Sequence, residues 1–293
     1  MASQATGHPP GVPLASAASV MAQARSENFP VASRVLPRSL RPHLLAIYGF
    51  ARLVDDIGDE AEGDRMAQLD WAEAELGRAV RGTAEHPVFR ALVPTIARFA
   101  LPPDPFTDLI AANRQDQGVS RYATFDDLVG YCMLSAAPVG RLVLLVLGAS
   151  TPARVELSDR VCVGLQLVEH LQDVAEDAAM DRVYLPLEDL AAFGCPVDDL
   201  LAAEHRAALC ASVAEMSARA RRLLEAGGPL SAGLRPRFRL AVAAFSAGGM
   251  AALDAIERAS FDVVTHRCRP RPHRLAARWL SLVAFPSPTE ADP

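Results

Sequence analysis

Residues 40–60 have the sequence LRPHLLAIYGFARLVDDIGDE, and this stretch decides the fold. Its apolar side chains recur at steps of three and four residues, the spacing of one helix face. They predict a helix from about residue 40 to residue 60 that packs into a core. Four acidic residues follow the apolar face at the end of this helix: Asp55, Asp56, Asp59 and Glu60.

The acidic cluster has a chemical cost that a cation would relieve. Asp55 and Asp59 lie four residues apart, so both carboxylates project from one face and repel each other. The cluster also lies at the negative end of the helix dipole. A divalent cation offsets both penalties, and magnesium is typically held by one or two carboxylates plus phosphate oxygens and waters. The alternative is a solvated helix end that binds nothing.

Helical periodicity extends through most of the chain and predicts an all-α fold. The expected helices cover residues 65–80, 87–100, 105–115, 126–147 with a bend at Pro138, 157–177, 205–225 and 235–266. Residues 181–196 are polar and interrupt the pattern. We expect one helical domain over residues 25–283, with flexible tails at residues 1–24 and 284–293.

Composition excludes several classes of protein. The formal net charge is −6, without a basic cluster of the kind that binds nucleic acid. The five cysteines are odd in number and lack CxxC spacing, which argues against a disulfide framework and favours a reducing cytoplasm. No apolar run reaches membrane-spanning length, the most apolar being residues 142–149, and no secretory signal is recognised.

Residues 166–177, QLVEHLQDVAED, form a second acidic cluster. Glu169, Asp173 and Asp177 recur every four residues, and Gln166 lies on the same side of the helix. The other faces are apolar, so the acidic stripe either lines a cleft, binds a ligand or forms an exposed edge. Two acidic helix faces in one domain predict metal ions that clamp a diphosphate. His170 points to another face, where packing or hydrogen bonding is the simpler role.

These stretches resemble the two aspartate motifs of the squalene and phytoene synthases. Residues 48–60 match the first motif, and residues 166–177, followed by DRVYLP at 181–186, match the second. Three shorter segments fall in the family's order: Arg121-Tyr122, the Tyr131 segment with residues 138–140, and residues 261–263. The resemblance covers roughly residues 26–280 and implies an isoprenoid-synthase helical bundle around a central apolar cavity.

Within the family, residues 27–33 and 45–51 and Gln172 look most like the bacterial hydroxysqualene synthases of hopanoid biosynthesis. The resemblance implies magnesium-dependent conversion of presqualene diphosphate to hydroxysqualene, with diphosphate release, water capture of the carbocation and no nicotinamide cofactor. Peripheral membrane contact and transfer of product to other enzymes of the pathway are compatible with the sequence, which does not decide either. Two alternatives stay open: head-to-head condensation to presqualene diphosphate or phytoene, and a catalytically silent scaffold.

The resemblance also implies roles for individual residues. The magnesium ligands are Asp55, Asp59, Asp173 and Asp177, together with Glu169, which stands where the family usually has Asn. Arg52 and Gln166 match positions near the diphosphate. Around the isoprenoid cavity the matching positions are Phe29, Tyr48 and Tyr184, whose rings would stabilise a carbocation. Ordinary core packing is the alternative for these aromatic residues.

Overall fold

The computed structural model describes residues 36–232, 234–270, 275–276 and 278–280. The predicted tails at residues 1–24 and 284–293, and Phe29, lie outside the described residues. The all-α prediction is confirmed, because the sole strand-like pairing in the described ranges is one bridge between Arg121 and Val183. The helices are α1 Arg41–Asp59, α2 Arg65–Val80, α3 Pro87–Phe99, α4 Asp104–Gln115, α5 Phe125–Ser135, α6 Ala137–Val146, α7 Pro152–Gln172, α8 Val174–Ala179, α9 Leu187–Phe193, α10 Arg206–Ala226 and α11 Pro236–Arg258.

The chain forms two compact units, and the first contains Arg38–Gly118. In this unit α1 packs against α2, α3 and α4. Phe50 of α1 is fully buried, and its ring meets Phe89 and Phe106 edge-on at centroid distances of 5.6 and 5.1 Å. Edge-to-face contacts of this kind add to the free energy gained by burying the rings. The apolar face of residues 40–60 therefore has the buried role that the sequence predicts.

The second unit contains the described residues from Val119 onward, together with Leu36 and Pro37. Its central helix is α7, which packs against α6, α10 and α11. Two glycines let α7, α10 and α11 approach one another closely. A β-carbon on Gly164 of α7, or on Gly249 of α11, would press against Leu224 of α10. The second acidic cluster lies at the end of this central helix.

Several helix boundaries differ from the sequence prediction, among them the start of α7, which lies at Pro152 rather than at residue 157. The expected bend near Pro138 is present as a break at Ala136 between α5 and α6. The predicted continuous helix over residues 157–177 was wrong, because α7 ends at Gln172 and Asp173 separates it from α8. The last long helix ends at Arg258 rather than near His266, since the backbone turns left-handed at Ser260 and Phe261.

Two described helical stretches are long and apolar enough to cross a membrane, although no uninterrupted apolar run is. Phe125–Val146 has a mean hydropathy of 1.7 and is 39% buried, and Pro236–Arg258 has a mean hydropathy of 1.4 and is 67% buried. The core helix of a soluble protein meets the same criterion of length and composition. This finding is therefore weak support for a membrane span.

Candidate active site

The first acidic cluster occupies the last turns of α1 and is fixed by hydrogen bonds from α4 and from the turn that follows it. Asn113 Nδ2 donates to Asp55 Oδ1 at 3.1 Å and to the Leu109 carbonyl at 3.1 Å. Gln117 Nε2 donates to the Gly58 carbonyl at 3.0 Å. Neither amide was predicted from the sequence, because 58 residues separate Asn113 from Asp55 and no local pattern links them.

Arg65 offsets part of the electrostatic penalty at the end of α1. Its guanidinium donates to three backbone carbonyls there, those of Gly58 at 3.1 Å, Asp59 at 2.9 Å and Ala61 at 3.0 Å. The last carbonyls of a helix lack partners within the helix and carry its negative dipole end. The helix end is thus stabilised by a cationic side chain, and the carboxylates remain as the groups that gain from a bound cation.

Asp55 is accessible to solvent but closely surrounded by protein atoms. That surrounding raises the pKa of its carboxyl group to about 6, and the negative charges of Asp59 and Asp56 add to the increase. The hydrogen bond from Asn113 and the charge of Arg52 act in the opposite direction. Burial also raises the pKa of Asp56. Raised pKa values of this origin mean that, without a bound cation, the surroundings favour the neutral form of these carboxyl groups.

Arg52 and Tyr48 share the α1 face with Asp55. Arg52 forms an ion pair with Asp56 at 2.7 Å and a longer one with Glu60 at 3.4 Å. Both Arg52 and Tyr48 are partly exposed. The first unit therefore presents an arginine beside its acidic cluster, and an arginine guanidinium forms strong charge-assisted hydrogen bonds with phosphate oxygens.

The second acidic cluster lies at the break between α7 and α8. Asp173 is the residue at the break, and its carbonyl accepts a hydrogen bond from the Asp177 backbone at 2.7 Å. Burial raises the pKa of Asp177 to about 7, and the charges of Asp173 and Glu169 raise it further, while Arg182 lowers it. The pKa of Asp173 is also raised, first by burial and then by Glu176. Glu169 is exposed on the last turn of α7.

Tyr184 belongs to a buried aromatic group beside this cluster. Its ring stacks on His170 at a centroid distance of 3.8 Å and on Tyr122 at 5.8 Å, with Tyr131 at 5.7 Å. Tyr184 is 8% exposed. This arrangement is the one expected from core packing, and a role for Tyr184 at the isoprenoid cavity stays a prediction.

The segment before α5 positions the aromatic group. Val183 pairs with Arg121 in a β-bridge, and the Val183 backbone donates to the Ser120 carbonyl at 2.9 Å. The Arg121 guanidinium also pairs with Asp181 at 2.6 Å. Because Tyr122 and Tyr184 are the next residues along each segment, this pairing brings their rings together.

His170 is buried, and burial lowers its pKa to about 3, so the imidazole is neutral. Its Nδ1 lies 4.0 Å from Asp177 Oδ2, and its Nε2 lies 3.4 Å from Gln166 Nε2. The packing role expected from the sequence agrees with these contacts. Gln172 also has a structural contact, since its side chain donates to the Cys268 carbonyl at 2.8 Å.

Each acidic cluster has the chemistry of a magnesium site that is completed by its substrate. Among the described residues, no three Asp, Glu, His or Cys side chains converge to form a metal site by themselves. Magnesium, however, usually takes only one or two protein carboxylates and completes its shell with phosphate oxygens and waters. Crowded carboxylates with raised pKa values, such as Asp55 and Asp177, fit that requirement.

Comparison with known proteins identifies the family. The family model for squalene/phytoene synthase matches residues 22–276. The chain belongs to the squalene/phytoene synthase family. Hydroxysqualene synthase of Sinorhizobium fredii is 39% identical over 212 residues, covering 70% of each chain. Hydroxysqualene synthase of Rhodopseudomonas palustris is 40% identical over 216 residues and 72% of each chain. A phytoene synthase of Arthrospira platensis is 33% identical over 260 residues and 83% of each chain.

Solved structures of the family share the fold. A squalene synthase of Alicyclobacillus acidocaldarius has a TM-score of 0.79 at 43% identity, with 84% of this chain and 94% of that chain covered. A dehydrosqualene synthase has a TM-score of 0.82 at 23% identity, covering 92% and 95%. The predicted isoprenoid-synthase fold is thereby confirmed. Members of this family are prenyl diphosphate enzymes that typically use magnesium.

Proposed function

We propose that this protein converts presqualene diphosphate and water to hydroxysqualene and diphosphate. The observation that supports the proposal is 39% and 40% identity to two hydroxysqualene synthases, in a chain with one acidic cluster at the end of α1 and another at the break between α7 and α8. In this reaction the carbon–oxygen bond to diphosphate breaks and the cation rearranges. A water oxygen then bonds to carbon and releases one proton.

Magnesium would be held by Asp55 and Asp59 in the first unit, and by Asp173, Asp177 and Glu169 in the second. When bound, magnesium supplies charge that neutralises the diphosphate and makes it a better leaving group. Glu169 adds a negative charge where the family usually has the neutral Asn. Because both side chains offer an oxygen ligand, the position keeps its ability to bind a metal ion.

The remaining site residues orient the substrate. Arg52 donates charge-assisted hydrogen bonds to the diphosphate once its guanidinium exchanges Asp56 for phosphate oxygens, and Gln166 donates through its amide. Tyr48 and Tyr184 contribute aromatic surface for the isoprenoid chain, and their electron-rich faces favour a passing carbocation. The role of Phe29 is the same in this proposal.

The proposed compartment is the cytoplasm, with peripheral contact to the inner face of the membrane. All five cysteines are free thiols, and each is at least partly buried. Such thiols are typical of a reducing compartment. The substrate and product are long hydrocarbons, so transfer to other pathway enzymes at a membrane surface follows from their insolubility.

The deciding experiment is incubation of the purified protein with magnesium and presqualene diphosphate, without NADPH, followed by mass analysis of the lipid extract. We expect a triterpene alcohol and one diphosphate per product. Asp55→Asn and Asp173→Asn serve as inactive variants. Thr95→Ala, which removes the hydrogen bond between the buried Thr95 and the partly buried His43 in the first unit, is the matched control for folding and should remain active.

One second function has specific support, namely head-to-head condensation of allylic diphosphates. The Arthrospira platensis phytoene synthase matches over 83% of this chain, a longer alignment than the hydroxysqualene synthases give. Consumption of farnesyl or geranylgeranyl diphosphate, without turnover of presqualene diphosphate, would assign the protein to this branch. Inertness toward all three substrates would instead favour a silent scaffold.

A further inference from the structure

Asn113 is a buried amide that contacts the first acidic cluster. Its side chain is 6% exposed, and its Nδ2 has two acceptors, Asp55 Oδ1 at 3.1 Å and the Leu109 carbonyl at 3.1 Å. The Leu109 contact lies within α4 and fixes the amide on its own helix. The other hydrogen of Nδ2 therefore points to α1, where Oδ1 of Asp55 accepts it.

Gln117 strengthens this junction between α4 and α1. Its Nε2 donates both to the Asn113 carbonyl at 2.9 Å and to the Gly58 carbonyl at 3.0 Å. The end of α1 is thus bound by two side-chain amides, at Asp55 from α4 and, three residues later, at Gly58 from the turn that follows α4. A partly buried hydrogen-bond network of this kind restricts the groups that take part in it.

Gly58 leaves the space that Asn113 fills. A β-carbon built on Gly58 would collide with Asn113 Oδ1 and would lie 3.0 Å from Asn113 Cγ and 3.3 Å from Asn113 Cβ. The three nearest neighbours of that β-carbon all belong to Asn113. Any side chain at position 58 therefore forces the amide away from Asp55.

One carboxylate oxygen of Asp55 is consequently held, and the other keeps its lone pairs. The hydrogen bond favours the ionised form of the carboxylate and opposes the burial and the negative neighbours that favour protonation. In metal sites, partners that hydrogen-bond a ligand carboxylate orient it and tune its affinity.

We propose that Asn113 is the positioning residue of the first magnesium site, holding Oδ1 of Asp55 so that Oδ2 faces the cation, and that Gly58 is required because Asn113 occupies its side-chain space. The inference rests on the proposed function, since it takes Asp55 as a magnesium ligand. Asn113 itself touches neither metal nor substrate.

The test is Mn²⁺ binding to the full chain in the presence of inorganic diphosphate, measured by electron paramagnetic resonance. Asn113→Ala should weaken Mn²⁺ binding about 10–100-fold, the usual effect of removing a partner of a metal ligand. Thr95→Ala removes a similarly buried hydrogen bond, 2.9 Å from Oγ1 to His43 Nδ1, and should leave Mn²⁺ binding unchanged. Thermal unfolding confirms that each variant is folded.

A double-mutant cycle tests the link to Gly58. Gly58→Ala alone should weaken Mn²⁺ binding about as much as Asn113→Ala, and the double variant should be no weaker than either single variant. Crystal structures of the metal-free variants should show the Asp55 carboxylate rotated from its wild-type position. If Asn113→Ala does not fold, Asn113→Leu replaces it, because leucine keeps the branched shape and lacks the donor.

The outcomes separate this inference from the proposed function. If Asp55→Asn weakens Mn²⁺ binding and Asn113→Ala does not, the positioning role is wrong and the metal site stands. Additive effects in the cycle would show that Gly58 is needed for another reason. Unchanged Mn²⁺ binding in Asp55→Asn, or none in the wild type, would overturn the metal site and the positioning role together.

Discussion

Substitutions of Asp55 and of Asp173 test the first and the second acidic cluster separately. Replacing either with Asn keeps its size but removes its charge, and each should reduce diphosphate release at least about 100-fold. The folded structure should persist, since neither side chain lies in the apolar core. Diphosphate release is measured with a coupled phosphate assay and folding by circular dichroism. Near-normal turnover in either variant would show that its carboxylate does not bind the essential metal.

Asp177 predicts a pH dependence of stability in the metal-free protein. Its folded pKa is about 7, against an ordinary value of 3.8, so between about pH 4 and pH 7 the folded chain holds a proton that the unfolded chain releases. The free energy of unfolding therefore falls as the pH rises through this window. Asp177→Asn has no carboxyl group to ionise at this position, so its free energy of unfolding does not fall in this way. At pH 8 the variant should therefore exceed the wild type in free energy of unfolding by on the order of 1 kcal/mol, which corresponds to a melting temperature higher by about 2–4 °C.

The measurement is thermal unfolding in EDTA at pH 4 and pH 8. The difference between Asp177→Asn and the wild type should be present at pH 8 and small at pH 4. Asp198→Asn, which alters an exposed carboxylate outside the cluster, is the matched control. An equal difference at both pH values would show that Asp177→Asn acts by repacking rather than through the ionisation of Asp177.

At the level of elements, the packing of α7 depends on Gly164. A β-carbon there would lie 2.9 Å from Leu224 Cγ and 3.3 Å from the Ala220 carbonyl of α10. Gly164→Ala should therefore lower the free energy of unfolding by about 1–3 kcal/mol, the usual effect of overpacking a core. Gly130→Ala is the control, because a β-carbon at this exposed position of α5 has no neighbour within 4 Å.

Urea unfolding compares these two variants. Gly164→Ala should shift the midpoint to lower urea with an unchanged slope. Gly130→Ala should leave it unchanged or raise stability by up to about 1 kcal/mol, since alanine is the better helix former. A midpoint for Gly164→Ala equal to that of the wild type would mean that Leu224 moves aside without cost.

The helices were predictable where local pattern alone determines them. The apolar steps through residues 40–60 predicted α1. Asp64, a residue type favoured at helix N-termini, precedes α2 and accepts a hydrogen bond from the Ala67 backbone at 3.0 Å. The break at Asp173 was not predictable, because residues 165–177 keep a helical period through it. The short helix α9 was also missed, since its segment was interpreted as polar and irregular.

The acidic residues of the site were predictable for the same reason, and their supporting residues were not. Two pairs of aspartates show the four-residue spacing that places side chains on one helix face. Asp55 and Asp59 form the pair in the first acidic cluster, and Asp173 and Asp177 form the pair in the second. Asn113, in contrast, reaches Asp55 from a different helix, and Arg65 reaches the end of α1 across a turn. Such contacts depend on how helices pack, which the residue pattern of a single helix does not contain.

For the whole molecule, the two apolar helical stretches predict behaviour at membranes. Pro236–Arg258 is 67% buried and packs against α7, so its apolar surface already has protein partners. Phe125–Val146 contains Arg141, whose guanidinium forms two hydrogen bonds with Asp159 of α7 at 3.0 and 2.9 Å. Moving this stretch into lipid would break that pair and bury a charge, which costs several kcal/mol.

We therefore expect membrane contact without insertion. Protein bound to vesicles should be released by alkaline carbonate, and the protein should purify without detergent. An Arg141→Leu variant is compared with the wild type. The substitution removes the charge that opposes insertion of Phe125–Val146 into lipid, and it also removes the ion pair between Arg141 and Asp159. If the wild type stays with the membrane after carbonate, as an integral protein does, one of the two stretches spans it, and the packing seen for α5, α6 and α11 does not describe the bound state.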